Sequence, residues 1–341
     1  MHTKDFDYSL PKGLIAQTPL ESRDDSRLLI LDRSNGVIRH SRFRAVSSLL
    51  RPGDLLVFND SRVIRARLNG GLADSKRDVE LLLLRSHEPS RWWCIGKPSR
   101  KIVDGARIIF EGGLEGIVVE AADHGMRLIE FNDEKLIEIV GKIPLPPYIH
   151  ETLNEVERYQ TVYAKNLGSV AAPTAGLHFT TQLLEDLQVV GINMAFVTLH
   201  VGLDTFRPVD EHDPRNHKIH SEYWEISEET AKAINRAIRE GRRIVAVGTT
   251  TVRTLEQVSR LMDAEGSDGV AAGSGWADIF IMPGHTFRLV DAMITNFHLP
   301  RSTLLMLVSA FAGGDQITKA YDEAIRLKYR FYSFGDAMLI F

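Results

Sequence analysis

Three stretches of this 341-residue chain bring together residue types that suit chemistry. The first, Gly168 to Thr180, reads GSVAAPTAGLHFT. It is too poor in charge for a solvated linker and unlike a core strand. Its small side chains offer clearance for a ligand to lie against backbone, Pro173 stiffens the turn, and Thr174, Gly176 and His178 are the groups that could meet the ligand. The second, VGTTTVRTLE, places Gly248 where backbone can approach closely, ahead of the hydroxyls of Thr249, Thr250 and Thr251. At a helix N-terminus these hydroxyls and the free N–H groups favour anions or polar oxygens, and Arg253, one turn inside, is expected to project from the same end. The alternative is a Thr that merely caps the helix. The third, HDPRNHKIHSE, holds His212, His217, His220 and Glu222. General acid–base work by His220 or Glu222, a His/carboxylate metal site and a plain turn all remain open, although H-x4-H-x2-H matches no common metal spacing.

Familiar signatures are missing. There is no GxxxxGK[ST], no GxGxxG after a strand, no HExxH and no GxSxG, so the usual phosphate loop, dinucleotide loop, zinc-protease helix and nucleophile elbow are excluded. The single cysteine, Cys94, excludes intrachain disulfides and cysteine-rich zinc sites.

Strand-like runs place the reactive residues. LLVF leads into Asn59, Asp60, Ser61 and Arg62; MAFVTL into His200 and Gly202; RIVAV into Gly248; DIFIM into Pro283, Gly284 and His285; AMIT into Asn296 and His298. If these strands are parallel, their polar exits converge in the crevice where α/β sheets bind ligands. ISEETAKAINRAIREG predicts an intervening helix, with Ser227 as N-cap, Gly241 as stop and Ala231, Ile234, Ala237 and Ile238 on one stripe. From Arg67 to Phe131 the texture changes to closely spaced short strands (DVELLLL, RWWCIG, ARIIF, EGIVVEA, MRLIEF), suggesting a small barrel or sandwich. DEKLIEIVG reads as a short helix ending at Gly141, and KIPLPPYI as an extended strap. The expected fold class is α/β: a mostly parallel sheet domain over 1–66 and 150–341, with an all-β domain inserted at 67–149.

The net charge of −4 announces no polyanionic partner, but residues 1–67 carry twelve Lys/Arg against eight Asp/Glu. Met1 to Leu10 has no apolar signal core, and the best apolar run, Leu304 to Ala312, is too short to span a bilayer. A cytoplasmic protein without a membrane partner is the expectation, monomeric, with a weak dimer as the alternative. The residues by themselves also admit a metal-dependent hydrolase built on the histidine cluster, or a non-catalytic RNA- or nucleotide-binding protein.

Together, DFDYSLP, LIAQTPLESRDDSRLL, PGDLLVFNDSRVIRARL, KIPLPPYI, ERYQTVYA, GSVAAPTAGLHFT, AFVTLHVGLDTFRPV, IHSEYWEI, VGTTTVRTLE, GWADIFIMPG, NFHLPRSTLLMLVSAFAG and KYRFYSFGDAMLIF run in order from Asp5 to Phe341. In this the chain resembles the S-adenosylmethionine:tRNA ribosyltransferase-isomerase family of queuosine biosynthesis. Ser61 stands where the family usually has Thr, Arg65 where it usually has Pro, and Leu203 and Asp204 replace a smaller pair. The resemblance implies an α/β domain with an inserted β-barrel. It also implies transfer and isomerisation of the ribosyl moiety of S-adenosylmethionine onto a 7-aminomethyl-7-deazaguanine at the tRNA wobble position. The products are epoxyqueuosine-tRNA, adenine and methionine; S-adenosylmethionine is consumed as a substrate, and no cofactor or metal is called for. It assigns no residue roles. Position and chemistry suggest His200 and His220 as proton carriers, with Glu222 or Asp60 orienting them. Arg62 and Arg253 would hold the methionine carboxylate. Thr174, Gly176, His178, Gly248, Thr249, Thr250, Asn296 and His298 would surround the rest of S-adenosylmethionine. Arg42, Arg44, Lys97, Arg100 and Lys101 would meet tRNA phosphates.

Overall fold

Uninterrupted apolar runs form the centre of a nine-stranded sheet in the structure, a computed structural model that describes residues 1–122, 125–153, 155–202 and 208–341. Strands are numbered along the chain. Four lie side by side and parallel: β12 (Asn193–Leu199), β3 (Leu55–Asn59), β14 (Ile244–Val247) and β16 (Ala292–Asn296). All residues of β3, β14 and β16 are buried, because helices cover the parallel strands. Beyond β16 come β17 (Ala337–Ile340), antiparallel to it, then β1 (Arg27–Asp32), parallel to β17, and the exposed edge strand β2 (Val37–Arg42). Beyond β12 lie β13 (Glu222–Ile226) and the edge strand β15 (Gly273–Ala277), each antiparallel to its neighbour. The fold class is α/β, with a mixed sheet whose central strands run parallel.

DIFIM departs from expectation. Residues 278–282 form no strand; the strand is the preceding β15, GSGWA. Ile279 and Ile281 are buried, but the carbonyls of Ala277 and Ile279 accept hydrogen bonds from the Arg253 guanidinium. A side chain thus takes the place of a neighbouring strand, and four strand exits converge, not five.

Helices follow from their patterns. In α3 (Glu228–Arg239) the Ser227 side chain accepts from the Thr230 N–H, and Ala231, Ile234 and Ala237 are buried. Ile238, expected on that stripe, is 38% exposed. Apolar α5 (Thr303–Ala312) is buried nearly all round, and among the described residues no helix is long and apolar enough to cross a membrane. One face of the sheet, with Phe58, Val245 and Ile294, packs on Phe43, Phe179 and Leu183 from the flanking segments.

Contacts divide the chain into two compact units: Met1–Ser61, Pro147–Asn166 and Ala172–Phe341, carrying this sheet, and Arg62–Pro146 with Leu167–Ala171. In the second, β5 (Arg67–Leu72), β6 (Asp78–Glu88), β7 (Arg91–Lys97), β8 (Arg107–Phe110), β9 (Glu115–Ala121) and β10 (Met126–Phe131) close in the order β10-β7-β6-β5-β8-β9. Every pairing is antiparallel, and because β9 closes back onto β10 no edge is left unpaired. Leu68, Leu81, Leu83, Cys94, Ile108 and Ile129 fill the barrel. The short helix Lys135–Val140 stops at Gly141, where a Cβ would sit 2.1 Å from the Arg65 carbonyl oxygen. Space, not backbone torsion, demands glycine there.

Candidate active site at the carboxyl ends of the central strands

After β14 the chain turns through Gly248, at φ +94°, into α4 (Thr249–Glu265). This left-handed conformation favours glycine. Gly248 occupies the N-cap position and no side chain caps the helix, which excludes the reading of Thr as a simple cap. The first N–H groups of α4 therefore open, with their positive dipole end, onto a narrow cleft. Thr249 and Thr250 line it and are almost wholly buried. The Thr250 hydroxyl accepts from Asn59 Nδ2 at 3.3 Å, and Asn59 also bonds the Leu199 N–H and carbonyl, tying the exits of β3 and β12 together.

The opposite wall is the small-residue loop. Ala172, Pro173, Thr174 and Ala175 line the cleft. Ala175 Cβ would lie 3.7 Å from a Cβ built on Gly248, so small residues on both sides let backbone approach backbone. Gly176 serves another purpose: a Cβ there would fall 2.0 Å from the Tyr163 hydroxyl, so it clears space for the enclosed hydroxyl of a partly buried tyrosine and not for a ligand.

His178 turns away from this cleft. It stacks on Phe43, pairs with Ser26 Oγ at 2.7 Å through Nδ1, and faces Asn296 Nδ2 at 3.2 Å through Nε2. Asn296 Nδ2 also donates to the Tyr332 carbonyl, an acceptor only, which fixes the amide orientation. Nε2 of His178 is therefore an acceptor, and the ring proton sits on Nδ1. Asn296 lines the cleft and is buried, and its Oδ1 has no partner among the described residues. His298, also on the cleft, bonds Thr295 Oγ1 at 2.8 Å. Burial lowers both His178 and His298 to about 3; at His178 a hydrogen bond to the Arg23 backbone opposes the shift and the charges of Arg330 and Arg23 add to it. Both rings are neutral near pH 7.

These values set a pH dependence. In the unfolded chain the two rings titrate near the ordinary 6.5. Between pH 6.5 and 3 the unfolded state binds more protons, so stability is full above 6.5 and falls as pH drops through that window. Urea midpoints from pH 7.5 to 4 are expected to show His298→Gln losing about 1.4 kcal/mol per pH unit of the wild-type slope there. An unchanged slope would mean that His298 charges freely in the fold.

His200 follows β12 and is half-buried, stacked on Tyr223 at 5.7 Å. Its Nδ1 is buried with no partner among the described residues. Burial lowers its pKa below the ordinary value, while the charges of Asp60 and Glu225 oppose the shift. Asp60 is held by Thr198 Oγ1 at 2.7 Å and by Asn166 Nδ2 at 3.1 Å.

The other expected groups lie elsewhere. Arg253 does not project from the end of α4: it is buried in an ion pair with Glu222, which also accepts from the Gly202 N–H at 2.8 Å. Neither is free for a substrate carboxylate or a proton. His220 is exposed before β13, His217 pairs with Glu211 at 2.9 Å, and His212 packs on His2. The cluster read from spacing is thus dispersed, and among the described residues no three His, Cys, Asp or Glu side chains converge. Arg62 belongs to the barrel unit, as do Lys97, Arg100 and Lys101, which are exposed. Arg42 donates to the Asp25 carbonyl and Arg44 pairs with the Asp25 carboxylate at 3.1 Å. Ser61 is fully buried with Oγ unpartnered among the described residues; Arg65 is exposed; Leu203 and Asp204 lie outside the described residues.

Of the residues expected around S-adenosylmethionine, the fold brings together Thr174, Gly248, Thr249, Thr250, Asn296 and His298, and leaves Gly176, His178, Arg253 and Arg62 off the cleft. Sequence reading missed Tyr163, Tyr321 and Tyr8. Tyr321 accepts from the His298 N–H and Tyr8 donates to its carbonyl. Their aromatic character alone gives no signal of such pairing.

A parallel-centred sheet with a small-walled cleft over an uncapped helix terminus, in a chain that also carries a closed barrel, defines an enzyme of the α/β class with an inserted β module. The model of the Queuosine biosynthesis protein family matches residues 3–340, and the chain belongs to that family. It is 54% identical over 345 residues to the S-adenosylmethionine:tRNA ribosyltransferase-isomerase of Symbiobacterium thermophilum, and 51% identical over 346 residues to that of Macrococcus caseolyticus, each alignment covering 100% of both chains. The crystal structure of S-adenosylmethionine tRNA ribosyltransferase from Thermotoga maritima superposes with a TM-score of 0.57 at 39% identity, covering 99% of this chain and 100% of that one.

Proposed function

We propose that this chain transfers and isomerises the ribosyl moiety of S-adenosylmethionine onto the aminomethyl group of a 7-deazaguanine in the tRNA anticodon, releasing adenine and methionine. The observation that carries the reading is the cleft at the start of α4. It combines open helix N–H groups, two buried Thr hydroxyls and the Asn296 carbonyl oxygen between small walls, the hydrogen-bonding mix a nucleoside requires. Full-length likeness to relatives named for that activity supports it.

The sulfonium acidifies the hydrogens on the adjacent ribose carbon, and a neutral base removes one. Adenine departs more easily when its ring is protonated. The neutral acceptor amine then attacks, and epoxide closure expels methionine as a thioether. We assign the base to His200, which burial keeps neutral near pH 7, with Asp60 placing a compensating charge near it. His178 and His298, neutral and hydrogen-bonded, position Asn296 and the cleft wall and take no part in proton transfer. S-adenosylmethionine is spent as substrate, and no separate cofactor enters. Exposed Lys97, Arg100 and Lys101 on the barrel unit, and Arg42 and Arg44 on the other, are the proposed phosphate contacts.

Purified protein is expected to release adenine and methionine from S-adenosylmethionine only with tRNA that bears the aminomethyl-deazaguanine. Methyl transfer without adenine would overturn the reading.

A further inference from the structure

A second, small concavity lies in the α/β unit, behind the wall formed by His178 and Asn296. Arg23, Arg158, Ser26, His178 and Ser333 line it. Its arginines are bonded in an unusual way. Arg23 donates to the carbonyls of Leu177 and Glu157, at 3.3 and 3.0 Å. Arg158 donates to those of Glu21, at 3.0 Å, and Leu20. Arg330 donates to the carbonyl of Thr18, beside the lining residue Pro19, and its buried Nη1 has no partner among the described residues.

Carbonyls satisfy N–H donors but neutralise no charge. The carboxylate charges that reach these arginines are those of Glu157 on Arg23 and Asp336 on Arg330. The nearby Asp336 carboxylate is taken by Arg27 Nε and by the N–H groups of Arg27 and Arg330. Burial bears most on Arg23 and Arg330 and weakens the screening that water would provide; at Arg23 the repulsion from Arg158 outweighs the attraction of Glu157, and at Arg330 Asp336 offsets Arg27. The floor is equally rich in donors: because Nδ1 of His178 carries its proton, the Ser26 oxygen accepts it and keeps its own hydrogen to donate. A guanidinium presents five N–H donors, so donors remain on each arginine after the carbonyls are served.

We propose that Arg23, Arg158 and Arg330, with the Ser26 hydroxyl, form an oxyanion site that shares the His178–Asn296 wall with the substrate cleft. Its ligand is the carboxylate of the sulfonium substrate or a phosphodiester of the RNA. That choice rests on the function proposed above; the anion site itself does not. The site also supplies the cationic pocket for which Arg253 is unavailable.

Inorganic phosphate is the first probe. At constant ionic strength, exchanging chloride for phosphate is expected to raise the melting temperature of the wild-type chain, and Arg23→Gln with Arg158→Gln to remove the increment. Arg23→Lys and Arg158→Lys keep the charge, guard against misfolding, and should retain part of it. The ligand arms then separate the sources. If the ligand is the carboxylate, the Gln variant weakens S-adenosylmethionine binding by about tenfold or more, while a decarboxylated S-adenosylmethionine binds both proteins alike. If it is a phosphodiester, tRNA affinity falls and the log–log salt slope shrinks by about one per lost contact, with S-adenosylmethionine affinity unchanged. Equal phosphate stabilisation in wild type and all variants, with both affinities unmoved, would overturn the site. The phosphate result stands whether or not ribosyl transfer is observed.

Discussion

His200→Ala is expected to lower turnover by roughly 10²-fold or more, the scale of lost general base catalysis, with its urea midpoint near wild type. The ring is half-buried at the exit of β12, stacks on Tyr223, and leaves Nδ1 without a partner among the described residues. Removing it breaks no ion pair and empties no closed core. The lowered pKa makes the ring a base at neutral pH, so the acid limb of kcat/KM should lie below the ordinary histidine value and disappear in the variant. His220→Ala should change turnover little, because that side chain is exposed. Single-turnover adenine release with both variants decides the assignment. Near-normal turnover of His200→Ala with intact substrate binding, or a loss at His220 of the same size, would refute it.

Glu222→Gln or Arg253→Gln should each cost about 3–5 kcal/mol of stability, the penalty of leaving one member of a buried pair without its counter-charge. Both side chains are less than a tenth exposed, and Arg253 also holds the carbonyls of Ala277 and Ile279. Chemical denaturation measures the loss, and the double substitution should recover part of it, because the two effects are coupled. The alternative for Arg253, a substrate carboxylate ligand, makes a different forecast: unchanged stability and a raised KM.

The contrast between these residues shows what could be read in advance. Barrel strands such as MRLIEF and EGIVVEA were legible because alternation and turn residues mark them. RLNGGL, which becomes β5, was not, since its two glycines imitate a loop. Gly70 is there because a Cβ would strike Ile109 O and Phe110 at 2.6 Å, on the neighbouring strand β8, which is distant in sequence. VGTTTVRTLE was legible as a strand, a turn and a helix start, and so was the convergence of Thr250, Asn296 and His298. Arg253, in α4, was misread because its partner Glu222 comes from β13, and nothing in the local spacing of a helix records its distance to a strand. The same holds for Gly176, whose special character was visible while Tyr163, the reason for it, was not. His212, His217 and His220 looked like a cluster because they are close in sequence, but an irregular segment sends His217 to Glu211 and His212 to His2, and leaves His220 exposed.

The position of β3 bears on how the chain reaches this state. Val57 pairs with Ala195 on one side and Ala246 on the other, so both ladders of this central strand must close very long loops before any sheet hydrogen bond compensates the lost entropy. The barrel strands pair over much shorter separations, most of them with a sequence neighbour. Local pairing is the faster process. The barrel is therefore the segment able to order while β3 still waits for its partners. During that wait the apolar Leu55–Phe58 run is an exposed, unpaired strand, the period in which the nascent chain is most vulnerable to self-association and most in need of a chaperone.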